Sequence, residues 1–293
     1  MFNSTPCGFV AVDVETANTD HSSICAVAVA HFQSGHISSE WDTLVDPRTV
    51  FSPLHVGYHG IDEARVRGAP TWDGVVDELR GLLLNRVVVS HTAFDRTALL
   101  RASARWQVDL PVDRPACTWL DSCRMARSAW PELPDHRLPN VCEFLSYRLR
   151  HHHDARDDAR AAGQVLLAAM NALGFDRDRL LDALAVARHD AVAIIHRGSA
   201  ESTSCKRDGV PDGPLAGEAV VLTGELSLGS SVTSDLAAAA GCSVANEVSG
   251  RTTMLVEGRS NGHGETRKQR RARELSADVR SEPEFMNLLG LLR

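Results

Sequence analysis

The sequence predicts an α/β protein in two parts: a mixed β sheet with flanking helices, then a smaller α/β module. Three observations carry this. GFVAVDVET, SSICAVAVAHF and HISSEWDTLVDP follow one another as strand-like runs with short turns, which reads as an antiparallel meander. PTWDGVVDELRGLLL and DDARAAGQVLLAAMNALG carry apolar residues at helical spacing. HRGSAESTSCKRDGVPDGP is polar and rich in Gly, Ser and Pro, a linker signal that separates the parts.

In chain order, GFVAVDVET places Val10, Val12 and Val14 on one face. The third run stops at Pro47. A helix follows through PTWDGVVDELRGLLL, then a short buried strand, VVVSH, and a helix through TAFDRTALLRASARW. LPNVCEFLSYRL and the helix ending at Gly174 complete the first part, expected over 1–175. A helix and flexible linker are expected over 176–214, and a second module over 215–293. That module reads as GEAVVLTGEL, a helix through LAAAAG, CSVANEVS, TTMLVEG, a basic polar stretch and a final helix in EPEFMNLLGLL.

Composition narrows the function classes. Hydrophobic residues make up 43% of 293, enough for a real core. No apolar run reaches the ~18 residues that would span a membrane, and the N-terminus does not read as a signal peptide. Seven scattered cysteines without a CxxC argue against a zinc ribbon or disulfide framework and fit a cytoplasmic chain. The net charge of -7 excludes a protein that coats nucleic acid by bulk basicity; any nucleic acid is handled locally, through bound cations.

The chemistry lies in carboxylates. In VDVET, Asp13 and Glu15 share one strand face, where like charges raise each other's pKa unless a cation stands between them. Hard oxygen ligands suit Mg2+ or Mn2+; a water-exposed polar face is the ordinary alternative. Asp95, in VVVSHTAFD, falls where a strand ends and a helix starts, a place where open sheets hold ligands and where the helix dipole also favours a carboxylate. HHHDARDDARAAG, residues 151–163, runs three histidines into aspartates at a helix start. By itself it reads as a metal site, half of an active site or a solvated polar turn.

Together FVAVDVETA, HTAFD and HDARDDA resemble motifs I, II and III of the DEDDh exonucleases, the DnaQ-like family of the epsilon proofreading subunit of bacterial DNA polymerase. SICAVAVAHFQSGHI, YHGI and DARAAGQVL resemble its epsilon-like branch, over about residues 7–172. The resemblance implies a ribonuclease H-like sheet and 3′→5′ hydrolysis releasing nucleoside 5′-monophosphates, with two divalent cations, Mg2+ or Mn2+. It implies that Asp13 bridges both ions, that Glu15 and Asp158 complete the site on the nucleophile side, and that Asp95 holds the second. The HxAxxDA pattern fits His153, Ala155, Asp158 and Ala159, making His153 the base and leaving His151 and His152 as solvated neighbours. Thr16 is placed to help hold the terminal nucleotide. Thr92 stands where relatives often carry Asn. The implied substrate is a nucleic acid 3′ end, DNA favoured for a proofreading or repair role; RNA, as for RNase T or oligoribonuclease relatives, is the alternative.

Residues 215–293 resemble a BRCT domain in the strand–TG turn, the AAAAG helix end, LVEG and EPEF. The last helix lacks the tryptophan many such domains carry. The resemblance implies recruitment to a phosphorylated DNA end or protein partner, with Thr223, Gly224 and Lys268 as a phosphate cradle beside the basic run Arg267, Arg270, Arg271 and Arg273. A scaffold with a silent nuclease part is the alternative from another class.

Overall fold

A computed structural model describes residues 8–112, 116–195, 206–260 and 264–293, the side chains of 188–195 excepted. Contacts divide the chain into two compact units, Met1–Met170 and Asn171–Arg293.

In the first unit, β1 (Gly8–Thr16), β2 (Ile24–Gln33) and β3 (His36–Leu44) form the expected antiparallel meander. Then come α1 (Pro53–His59), α2 (Trp72–Leu83), β4 (Val87–Ser90), α3 (Phe94–Trp106), β5 (Thr118–Asp121), α4 (Ser122–Ala129), α5 (Leu138–Phe144) and α6 (Ala155–Ala172). The sheet order is β3-β2-β1-β4-β5, with β4 and β5 parallel to β1. Alternation in β1 decides which helix covers which face. Val10, Val12 and Val14 join a core with Trp72, Val76 and Leu79 of α2 and Leu99 of α3. The other face carries Phe9, stacked on Phe32 with centroids 4.7 Å apart. There α6 comes so close that a Cβ on Gly163 would lie 2.2 Å from the Phe32 ring. Only glycine admits that approach, which also brings the start of α6 over the polar face of β1.

The second unit contains α7 (Arg177–Ile195), β6 (Ala219–Thr223), α8 (Ser230–Ala239), β7 (Ser243–Ala245), β8 (Met254–Glu257), α9 (Arg267–Glu274), β9 (Asp278–Ser281) and α10 (Glu282–Leu288). Its four strands are all parallel, in the order β7-β6-β8-β9. Val220, Leu222 and Val256 pack with Ala237 of α8 and Phe285 of α10. Val221 and Leu255 face Ala272 of α9 on the other side. Helices thus cover both faces, as a parallel sheet requires.

Three expectations change. The first unit closes at Met170, and α7 packs on α8, so the helix expected within the connecting segment goes with the second unit. Of the expected flexible linker, 196–205 lies outside the described residues. Residues 206–214 are docked: Arg207 exchanges backbone hydrogen bonds with Val244 and donates to the buried Asp235 at 2.6 Å. The helix expected through LPNVCEFLSYRL stops at Phe144. Ser146 takes φ 54°, and Tyr147 N–H donates to Cys142 O, closing the helix end with a left-handed cap. The five described cysteines form no disulfide and are buried; Cys7 and Cys205 lie outside the described residues. No helix among the described residues is long and apolar enough to cross a membrane.

Candidate active site

The site is built where the β1–β4 ladder stops. Those strands pair only as far as Ala11 with Val89. Beyond that point the Val14 backbone N–H donates to the Asp95 carboxylate at 3.1 Å. The bond fixes Asp95, in the first turn of α3, beside Asp13 and Glu15 on β1. The turn leading into α3 is held locally: Thr92 Oγ1 accepts from Phe94 N–H at 3.2 Å and Ser90 Oγ donates to Thr92 O at 2.5 Å. Thr92, standing where relatives often have Asn, is therefore the residue that shapes this turn.

The third segment arrives from α6. Asp154, just before the helix, accepts from the N–H groups of Arg156 and Asp157, both at 3.1 Å, and so caps it. Asp158, in the first turn, is buried and accepts from the His153 backbone N–H at 2.9 Å. That contact holds His153 at φ 68°, a left-handed backbone uncommon outside glycine. The His153 ring lies 5.3 Å from Tyr58 and 3.8 Å from His152, centroid to centroid.

Ligand oxygens of Asp13, Glu15 and Asp158 lie within 4.8 Å of one another. The electrostatics are those of unneutralised like charges. Burial first, then Asp95, Glu15 and Asp158, hold the Asp13 carboxyl well above the usual range. Glu15 is pushed up to about 9 by burial and then by Asp158 and Asp95. Asp95 is raised to about 7 by burial, against the Val14 hydrogen bond that lowers it. Burial also raises Asp158. An all-oxygen donor set whose charges repel is stabilised by a hard divalent cation, so these residues fit Mg2+ or Mn2+. His153 is shifted the other way: burial, then His152 and His59, lower its pKa, which keeps the imidazole neutral near pH 7.

All five residues, together with Thr16, line one cleft of about 740 Å3. Several of its residues escaped the sequence reading. His59 accepts at Nδ1 from Ile61 N–H, 3.0 Å away, so its Nε2–H donates to Thr16 O at 3.1 Å; the residue pins α1 to the end of β1. His91, next to Thr92, contacts Ser122 Oγ and His136 O, and burial pushes it down to about 4, a neutral structural role. His21 and His55 bring buried Nδ1 atoms without a hydrogen-bond partner into the cleft. His152, set aside on the sequence as a solvated neighbour, has its Nδ1 3.0 Å from Asp158 Oδ2. His59 lies in the YHGI segment, which was a signal; nothing in the pattern distinguished His152 from His151.

In the second unit, Lys268 Nζ donates to Leu222 O at 2.9 Å, beside Thr223 and Gly224 at the end of β6. Gly224 has φ 77°, and a Cβ there would lie 2.9 Å from Gly258 O. The basic run of α9 is compensated: Arg267 pairs with Glu247 at 3.1 Å, Arg271 with Glu274 at 2.8 Å, and Arg273 with Glu265 at 3.0 Å.

Comparison with known proteins places this geometry. The family model described as RNase T, exonuclease, matches residues 10–166, more than half of the chain. The PolC-type DNA polymerase III of Caldanaerobacter subterraneus subsp. tengcongensis is 26% identical over 167 residues, 56% of this chain and 12% of that protein. The Streptococcus mutans PolC-type DNA polymerase III is 28% identical over 161 residues, 54% of this chain and 11% of that protein. This chain thus spans only a small part of those relatives. Among solved structures, E. coli exonuclease I in complex with a dT13 oligonucleotide aligns with a TM-score of 0.50 at 18% identity, covering 64% of this chain and 45% of that one; the likeness is one of fold. The chain belongs to the RNase T exonuclease family.

Proposed function

We propose that the chain hydrolyses DNA from its 3′ end, releasing nucleoside 5′-monophosphates, in an epsilon-like proofreading or repair role. The observation that carries this is the convergence of Asp13, Glu15, Asp95 and Asp158 with His153 in one cleft from three separate segments. Two divalent cations, Mg2+ or Mn2+, held by those oxygens would supply Lewis acidity at the scissile phosphate and a more acidic attacking water. His153 takes the proton of that water on a neutral ring nitrogen. The oxygen attacks phosphorus, the bond to the 3′ oxygen breaks, and that oxygen takes up a proton from solvent. Thr16, on the cleft floor, helps hold the terminal nucleotide, and the hydrogen bond from His59 fixes its backbone. A silent nuclease part is disfavoured because every acid and the histidine are present.

DNA is preferred over RNA because the matched relatives are polymerases of DNA. A direct comparison tests this: 5′-labelled single-stranded DNA, mismatched duplex and RNA, each with Mg2+ or Mn2+. DNA should be shortened fastest; degradation of RNA alone would overturn the substrate choice.

For the second unit we infer a BRCT-type recruitment module. Support comes from the parallel order β7-β6-β8-β9 and from Lys268 lying against the end of β6. Thr223, Gly224 and Lys268 would receive a phosphate of a DNA end or protein partner. A 5′-phosphorylated oligonucleotide titrated into the Asp13→Ala chain tests it, and equal binding of the unphosphorylated strand would remove the cradle.

A further inference from the structure

The hydrolytic reading uses only one of the three consecutive histidines. His151 turns to Asp157, with its N–H at 3.2 Å and Nδ1 at 3.3 Å. His152 turns the other way. Its Nδ1 lies 3.0 and 3.3 Å from the two Asp158 oxygens, and its ring stacks on His153 with planes 25° apart. One ligand atom from each of His152, His153 and Asp158 lies within 4.8 Å of the others. The molecule therefore carries two overlapping donor sets that share Asp158. Asp13, Glu15 and Asp158 offer oxygen alone; the other set offers two imidazoles and one carboxylate.

Donor chemistry separates them. Carboxylate oxygens suit Mg2+ and Mn2+, whereas imidazoles favour borderline ions of the zinc class. Neighbouring ligand atoms on a tetrahedral zinc stand about 3.4 Å apart, given Zn–N and Zn–O lengths of about 2.1 Å. His152 Nδ1 already stands 3.0 Å from Asp158, and with all three ligand atoms within 4.8 Å of one another, closing the set asks for at most about 1.4 Å of movement. The His152 side chain, 39% exposed, has room for it.

We propose that His152, His153 and Asp158 form a second cation site, selective for a borderline transition-metal ion such as Zn2+, whose occupation withdraws His153 and Asp158 from hydrolysis. The binding half stands by itself; the inhibitory half rests on the exonuclease reading. On this account the chain works with Mg2+ or Mn2+ and is arrested by zinc at the residue that serves as its base.

The test uses untagged full-length protein, stripped of metal with a chelator and titrated with Zn2+ by calorimetry in the absence of nucleic acid. Co2+ serves as an optical reporter of imidazole ligation. His152→Ala and, as a milder change, His152→Gln should each weaken Zn2+ binding at least about tenfold. Asp13→Asn, which cripples the oxygen set, should keep the tight site. Wild-type zinc affinity in both His152 variants, or loss of the site in Asp13→Asn, overturns the proposal. A second arm adds Zn2+ to Mg2+-dependent hydrolysis, each variant being compared with its own zinc-free rate. The inhibition midpoint should rise at least about tenfold in His152→Ala; an unchanged midpoint overturns the inhibitory half. Absence of any hydrolysis would instead strike the exonuclease reading, and calorimetry would still decide the site.

Discussion

Both units place polar groups at the carboxyl end of a strand parallel to its neighbour, yet the two ends differ in what is left unsatisfied. At the end of β1, four carboxyl groups crowd together, each above its ordinary pKa. At the end of β6, the Lys268 ammonium already donates to Leu222 O, and arginines of α9 pair with glutamates. Stored electrostatic repulsion marks a place that a ligand stabilises. A site whose charges are already met within the chain gains less from one. The first end is thus the stronger candidate for chemistry, the second for weak recognition.

The comparison breaks most readily at Asp13. Asp13→Ala should lower Mg2+-dependent hydrolysis by about a thousandfold or more, with the far-UV circular dichroism spectrum intact. His153→Ala should cut turnover by roughly 10²–10⁴-fold while leaving Mn2+ binding in place. A variant that loses the cation together with the rate would make His153 a ligand rather than a base.

Stability sharpens the same contrast. The Glu15 pKa rises from its ordinary 4.5 to about 9 in the folded chain. Between those values the unfolded state has lost a proton that the folded state keeps, so raising the pH lowers stability. The melting temperature of the cation-free protein should therefore fall as pH goes from about 4.5 to 9, and Mg2+ or Mn2+ should restore it. A flat profile without cation would mean that the carboxylates do not repel as described. The smallest effect is expected at the other end. Lys268→Ala removes one hydrogen bond from a charged donor, costs about 1–2 kcal/mol by chemical denaturation, and leaves hydrolysis unchanged.

Much of this was legible in the sequence because the informative elements bury one face. Alternation in β1 and helical spacing in α2 follow from packing on one core, and the spacing in α6 follows from burying one face on the other side of the sheet. What escaped lacks such a face. α1 has no buried residue. β5 alternates in burial but is only four residues long, and β9, equally short, is largely exposed, so neither is long enough to read from the sequence. Asp13, Glu15, Asp95 and Asp158 stand out in the sequence because their residue types and order resemble a known motif, and the structure brings them to one cleft. The contact between His152 and Asp158 was not. It depends on the left-handed turn at His153, which aims consecutive side chains in directions that a run of identical letters cannot reveal.

The central claim is that the carboxylates of β1, α3 and α6 drive hydrolysis at a 3′ end. Denaturing gel analysis of 5′-labelled single-stranded DNA, with wild-type and Asp13→Ala protein in Mg2+, tests it most directly. The account predicts a descending ladder of labelled strands with nucleoside 5′-monophosphate as product, abolished by a chelator and absent with Asp13→Ala. Undiminished shortening by Asp13→Ala, or product released only from the 5′ end, would contradict it.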